Sequence, residues 1–386
     1  MASASAVAAE PVFLRPRNFQ WYWNSSANPW SSTNSEEDWQ KYTDVENEII
    51  EDALSDKREE AELDGDYFVN LKNLMQYYKA DKNRQRPIKR VQLATDRTDV
   101  HLREERFAFP VILATNTDDA STTTTSDTED DEKDPLYELK TGYRRLSLTY
   151  KDLELEDNND KSLADIVEEA AAGILNEGAK LSKLNEAQWL AQQLRLVKQF
   201  GEDKKAAIYI NFIPDPIGVT CIYLYTKESF WYKLLNAVLR NHQTATLEQV
   251  KTLGPFCLLL DLYMEQNRHE AKFTVYRGLT LTDAEREEIM KQYPAFIKFM
   301  SFTSTSRNQK KAERFGNTLL VFDLDVKDSY FANRNVRCGI DVSSISAFPN
   351  EEEFTIGPGR CFHFVRYEYH SETNRHIIYL KSPAWD

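Results

Sequence analysis

"FPNEEEFTIGPGR", residues 348–360, sets three glutamates directly before a run with strand character, and its reading decides the fold. Adjacent carboxylates repel one another, so in an acidic chain a solvated turn is the simplest account. An extended segment offers another. Side chains alternate between the two faces of a strand, so Glu351 and Glu353 would share one face and Glu352 would point to solvent. A strand edge carrying two carboxylates can serve a reaction that develops positive charge.

The surrounding chain has the same β character. From Lys272 onward short runs rich in β-branched and aromatic residues follow one another: "KFTVYRGL", "FIKFMSFTSTS", "NTLLVFDLDV", "RCFHFVRYEYH" and "RHIIYLKSP". Helical inserts, "TDAEREEIMKQY" and "NQKKAERF", lie between some of them. Upstream, "KSLADIVEEAAAGILNEGAKLSKLNEAQWLAQQLRLVKQF" repeats apolar residues at three- and four-residue steps and predicts helix. So do "KESFWYKLLNAVLRN" and "TLEQVKTLGPFCLLLDLYMEQN", the latter with Pro255 expected to kink or split it. Helices first and strands later predict an α+β domain with a helical N-terminal part and a mostly antiparallel β-sandwich core.

The 386 residues allow two domains, and 41% apolar with 12% aromatic residues suffices for real cores. A net charge of −14 argues against a general nucleic-acid binder. Cys221, Cys257, Cys338 and Cys361 are widely spaced, and no two histidines stand at ligand spacing, so no metal is expected. No run approaches 18 apolar residues, and "MASASAVAAE" lacks a basic start and a sustained apolar core. The expectation is an intracellular protein, cytoplasmic or nuclear, with no membrane partner. Thr115–Pro135 carries eight acidic residues and no aromatic or large aliphatic one, and is expected to be disordered. The chain therefore divides into a first module over 8–95, a linker over 96–135 and a second domain over 136–386.

Three signals lie in order on the predicted strands of the second domain. Arg277 in "TVYRGL" offers a planar fork suited to a diphosphate, and Gly278 beside it permits close approach of a ligand to the backbone. Ser304, Thr305 and Ser306 form a hydroxyl run, although Ser306 can equally cap a helix starting near Asn308. The glutamate triplet is the third.

An Arg, then Ser-Thr-Ser, then Glu-x-Glu on successive β-segments resembles the R-S-E class of mono-ADP-ribosyltransferases, over most of residues 136–386. The run "YTKESFWYKLLNAVLR" is similar to another stretch of that family. The resemblance implies NAD as co-substrate, with Arg277 on its phosphates and Ser304 ordering the nicotinamide-side ribose and holding Glu353. Thr305 and Ser306 would belong to the same NAD site. Phe315 would stack on nicotinamide, though core packing accounts for it equally. Glu353 would bind the ribose hydroxyls and stabilise an oxocarbenium-like transition state. Glu351 would orient an acceptor arginine and take its proton, with Phe348 in the acceptor-recognition turn.

The first module carries Trp21, Trp23, Trp30 and Trp39, then a basic cluster of Arg84, Arg86, Lys89 and Arg90. Small-sheet packing explains the tryptophans, and a solvated face or import signal is an alternative for the cluster. The W-x-W opening, the W-x-x-Y from Trp39 to Tyr42, "IEDA" and the "MQ…R…IKR" run resemble a WWE domain with a half-open sheet. That resemblance implies recognition of poly-ADP-ribose through Tyr22, Trp39, Tyr67, Gln76 and Arg86. The segment between Trp23 and Trp39 is longer than usual in such domains. Together these readings predict transfer of ADP-ribose from NAD to protein arginine, directed by a reader on a flexible tether. An NAD glycohydrolase and a non-catalytic adaptor remain the alternatives.

Overall fold

The computed structural model describes residues 19–31, 35–93, 113–114, 134–155, 161–202, 212–268, 273–291, 296–325, 339–346 and 348–382. The acidic run expected to be disordered lies outside the described residues up to 133, as does Cys338.

The first module is a six-stranded antiparallel sheet with one helix. Its strands are β1 (Phe19–Asn24), β2 (Trp39–Lys41), β3 (Glu60–Leu63), β4 (Tyr67–Asn70), β5 (Met75–Tyr78) and β6 (Asp81–Gln92), in the order β2-β1-β6-β5-β4-β3. Helix α1 (Asp44–Ser55) lies between β2 and β3. Thr43 starts it, accepting from the Glu46 amide while the Glu46 carboxylate takes the Thr43 amide, a reciprocal cap. Trp21, Ile50, Ala53, Ala61, Leu63, Val69 and Ile88 form a core between helix and sheet. This is the half-open sheet that the aromatic pattern implies.

The second domain opens with helices α2 (Tyr137–Lys140), α3 (Leu146–Leu155), α4 (Leu163–Lys180), α5 (Leu184–Leu196), α6 (Asp215–Thr226), α7 (Phe230–Arg240) and α8 (Leu247–Gln266). The long amphipathic run of the sequence is two helices, α4 and α5, because Ser182 between them takes φ +55° and turns the chain. Helix α8 runs through Pro255 without being split. It is the buried centre of the helical layer, with Val250, Leu253, Phe256, Leu259 and Leu260 all inaccessible, and packing outweighs the hydrogen bond that proline removes. Helix α6 was not anticipated. Nine of its twelve residues are buried, so "VTCIYLY" shows no helical stripe and reads as strand-like. Gly173 lets α4 approach α8, since a Cβ there would lie 1.9 Å from the Thr252 carbonyl oxygen.

The strands of this domain are β7 (Leu113–Ala114), β8 (Thr274–Leu279), β9 (Phe296–Phe299), β10 (Thr303–Ser306), β11 (Thr318–Asp323), β12 (Gly339–Asp341), β13 (Glu353–Ile356), β14 (Arg360–His370) and β15 (Arg375–Lys381). They hydrogen-bond in the order β12-β13-β10-β8-β11-β15-β14-β9-β7, and β11–β15 is parallel while the other described pairs are antiparallel. Short helices α9 (Asp283–Lys291) and α10 (Gln309–Ala312) interrupt the strands. Phe299, Phe322 and Phe362 meet edge to face in the sheet core, with centroids 5.0–5.6 Å apart. Phe302, Ile340 and Val342 instead pack into the helical core, which ties that layer to the edge of the sheet carrying the glutamates.

One buried carboxyl gives this fold a pH dependence. Glu186 of α5 is 2% exposed and accepts from the Phe230 amide at 2.8 Å. Burial pushes its carboxyl from the ordinary 4.5 up to about 7, only partly opposed by the Phe230 amide and Lys183. The folded state therefore holds a proton that the unfolded chain has released. The stabilisation is complete below about pH 4.5 and is lost as pH rises through about 7. Urea unfolding across that window should show the decline, and Glu186→Gln should flatten it.

Candidate active site

Strand β10 is buried at all four positions and pairs with β13: Ser304 faces Thr355, Thr305 faces Phe354 and Ser306 faces Glu353. Directly paired residues of an antiparallel ladder project to the same side. Ser304, Ser306, Thr355 and Glu353 therefore share one face, and Thr305 and Phe354 take the other. Thr355 Oγ1 donates to Glu353 Oε1 at 3.1 Å. Thr305 Oγ1 donates to the Phe354 carbonyl at 2.6 Å, pinning the two strands from the opposite side.

Arg277 reaches β10 from the neighbouring strand β8, where the pairing of Tyr276 with Ser306 sets Arg277 level with Thr305, on the other face of the ladder. Its Nη1 donates to the Ser304 carbonyl at 2.6 Å, with only 4% of the residue exposed. The glycine after it serves the chain's own packing. A Cβ on Gly278 would stand 2.0 Å from the Ala312 carbonyl oxygen and 3.0 Å from Phe315 Cβ. The space that sequence reading reserved for a ligand is filled by the end of α10, and that contact seats buried Phe315 beside the arginine strand.

The glutamate triplet is not a continuous strand. Pro349–Glu351 forms a 3₁₀ turn, Glu352 takes φ +49°, and β13 begins at Glu353. The reversal at 352 produces the result that alternation would have given: Glu351 and Glu353 both point inward and are fully inaccessible. Ser306 ties the turn down, donating its hydroxyl to the Glu351 carbonyl at 2.9 Å and accepting from the Asn308 amide at 3.0 Å. The Glu351 amide donates to the Phe348 carbonyl at 3.1 Å, so Phe348, also buried, sits at the head of the same turn. Glu352, expected to be solvated, keeps 41% of its side chain exposed and is also paired. It binds Lys311 at 2.6 Å and Asn308 at 3.2 Å, and the Lys311 hydrogen bond holds its carboxyl below the usual range. The φ of Glu352 brings the third charge round to Lys311 of α10, which relieves the repulsion that the triplet raises.

Two partners of this site carried no assigned role from sequence. Thr355 was legible, because a residue two beyond Glu353 on a strand must share its face. Tyr225, at the end of α6, accepts from Asn236 Nδ2 of α7 at 2.9 Å, and its ring packs 5.2 Å from Phe302, just ahead of β10. Only the tertiary fold brings those helices to the strand.

In the first module the carried-over residues divide between two faces. Gln76 pairs with Arg86 and Val69, which places Gln76, Arg86 and Tyr67 on the core-facing side. Tyr42 joins them, its hydroxyl donating to Gln76 Oε1 at 2.6 Å; it was the unassigned end of W-x-x-Y. Tyr22 pairs with Lys89 and Asn24 with Trp39, so Tyr22 and Trp39 lie on the opposite face. There Lys89 Nζ lies 5.6 and 4.5 Å from the two ring centres and binds Glu36. Arg86 Nη1 donates to the carbonyls of Asn24 at 2.9 Å and Ser26 at 2.7 Å, holding the start of the long loop.

Family models account for both halves. Residues 19–90 match the WWE domain. Residues 156–385, more than half of the chain, match NAD:arginine ADP-ribosyltransferase. The chain belongs to that family. Among solved structures, ADP-ribosyltransferase HopU1 of Pseudomonas syringae pv. Tomato DC3000 is 19% identical, covering 44% of this chain and 77% of its own, with TM-score 0.36. Exoenzyme S from Pseudomonas aeruginosa, solved with human 14-3-3 protein beta and carba-NAD, is 21% identical over 44% and 74%, TM-score 0.34. The eucaryotic mono-ADP-ribosyltransferase ART2.2 is 17% identical over 58% and 92%, TM-score 0.35. No curated protein gives a match. Among the described residues of this ADP-ribosyltransferase no group of three or more His, Cys, Asp or Glu is placed to hold a metal, and no helix is long and apolar enough to cross a membrane.

The Gly278 contact makes a direct test of the geometry. Gly278→Ala should force α10 and Phe315 away from β8 and lower stability by about 2 kcal/mol, within the usual range for overpacking. Thermal unfolding measures it, and an unchanged melting temperature would contradict the close approach.

Proposed function

We propose that this ADP-ribosyltransferase carries ADP-ribose from NAD to protein arginine with release of nicotinamide, through Arg277, Ser304, Glu351 and Glu353. The domains assigned to this work are 136–386 for transfer and 8–95 for recognition of ADP-ribose units, joined by 96–135. The observation that carries the proposal is the pair of inward carboxylates at 351 and 353, separated by the reversed Glu352.

In this reading Arg277, fixed through the Ser304 carbonyl, neutralises the diphosphate, with Ser304, Thr305 and Ser306 lining the NAD site and Phe315 stacking on nicotinamide. Glu353, oriented by Thr355, binds the ribose and stabilises positive charge as the bond from C1 to the nicotinamide nitrogen lengthens. That bond's electron pair leaves with nicotinamide. An arginine nitrogen attacks C1, and Glu351 accepts the proton that it loses. Phe348 forms one wall of the acceptor approach. Both carboxylates are inaccessible, so in this reading NAD and acceptor enter only when the site opens. The same burial favours hydrolysis as the second reading, since water needs less opening than a protein side chain does. The recognition domain would take ADP-ribose units of poly-ADP-ribose on the face carrying Tyr42, Tyr67, Gln76 and Arg86.

Two substitutions separate the roles. Glu353→Gln should lower nicotinamide release from NAD about 100-fold or more, the scale for losing one transition-state electrostatic group. Glu351→Gln should keep nicotinamide release and lose label on protein. Equal loss of both signals in Glu351→Gln would remove the acceptor role from that residue.

A further inference from the structure

Helix α1 carries Asp44, Glu48 and Asp52 at four-residue steps, which places them in one stripe along its surface. An acidic stripe on a helix ordinarily faces water. Here Asp44 and Glu48 are buried, and each member of the stripe meets a donor from the second domain. Asp44 Oδ2 accepts the Glu228 amide at 2.8 Å. Glu48 Oε1 binds Lys227 Nζ at 2.7 Å, and that lysine is entirely inaccessible, with its ammonium 4.6 Å from the Tyr223 ring centre. Asp52 Oδ2 accepts Trp189 Nε1 at 2.9 Å. Beside the stripe, Val45 and Ile49 pack into the hydrophobic core of the helical layer.

A fourth carboxylate completes the contact. Asp64, in the turn after β3, accepts the Asn185 amide at 2.8 Å and the Glu186 amide at 3.1 Å. These are orphan N–H groups of the first turn of α5, whose own N-cap residue, Lys183, supplies no side-chain acceptor. The missing cap comes from the other domain. A helix N-terminus also carries partial positive charge, which favours an anion there. All four acceptors belong to the first domain and all donors to the second. Without the first domain, Lys227 would lose its carboxylate partner and α5 its cap, both of them costly.

We infer that the WWE domain is docked on the transferase as one body, through an intramolecular surface in which its Asp44, Glu48, Asp52 and Asp64 cap and neutralise the helical layer. The stretch between β6 and β7 then does not set the distance between the ADP-ribose-reading face and the NAD site. The two sites keep one relative orientation, and targets are presented within the reach of that geometry. The dock stands on contacts between the domains and is independent of which acceptor the enzyme modifies.

The test uses the full chain with a specific protease site inserted within residues 94–100, so that β7 stays with the transferase sheet. After cleavage, the two pieces should co-elute on size exclusion at micromolar concentration. Asp52→Ala/Asp64→Ala, both on half-buried side chains, should weaken their association about tenfold or more for each charged acceptor lost. In the uncut chain, amide hydrogen exchange at Asn185 and Glu186 should accelerate in Asp64→Ala, while amides in the core of α8 stay protected. Separation of the wild-type pieces, or unchanged affinity and exchange in the variants, would overturn the dock.

Discussion

The antiparallel pairing of β10 with β13 is the constraint on which the active site depends. It places Ser304 and Ser306 opposite Thr355 and Glu353, and a slip of β13 by one residue would turn Thr355 and Glu353 to the other face, away from the two serines. Phe354, on that other face, belongs to the sheet core and packs edge to face on Phe273. Burial of Phe354 thus fixes the register, and the register fixes the carboxylate. The core side chain and the reactive one are alternate teeth of the same strand.

The turn before β13 adds the second carboxylate. Glu351 cannot reach the site as part of β13, because the chain enters that strand from a 3₁₀ turn. The positive φ of Glu352, unfavourable for a residue with a Cβ, is held by its ion pair with Lys311 and by the Arg307 amide on the Glu352 carbonyl. Helix α10 therefore does two jobs: it anchors the turn through Lys311, and it closes on Gly278 to seat Phe315. The two contacts come from adjacent residues, Lys311 and Ala312, at the end of a single short helix.

Much of this was legible in sequence because the signals are local. Arg277, the hydroxyl run and the glutamates each sit on strands that their own periodicity announces, and the order of the three carries the family resemblance. What was not legible depends on contacts distant in sequence. The triplet's inward pair was foreseen for a strand, yet it is made by a turn whose φ no propensity predicts. Helix α6 hides because burial on all sides erases its stripe. Tyr42 was passed over beside Gln76, and Tyr22 and Trp39 were grouped with residues from which the register separates them. The acidic stripe of α1 gave no hint of docking, since a solvated acidic face and a buried one have the same sequence. A fixed dock also changes the meaning of the linker, which joins two bodies already in contact instead of measuring the distance between them.

The acceptor is the central claim. Its most direct measurement is incubation of the full chain with NAD labelled in the adenosine half and an arginine-containing protein, followed by mass-spectrometric location of the label. Label on arginine side chains, in step with nicotinamide release, is the predicted result. Nicotinamide and free ADP-ribose with no labelled protein would contradict it and make water the acceptor.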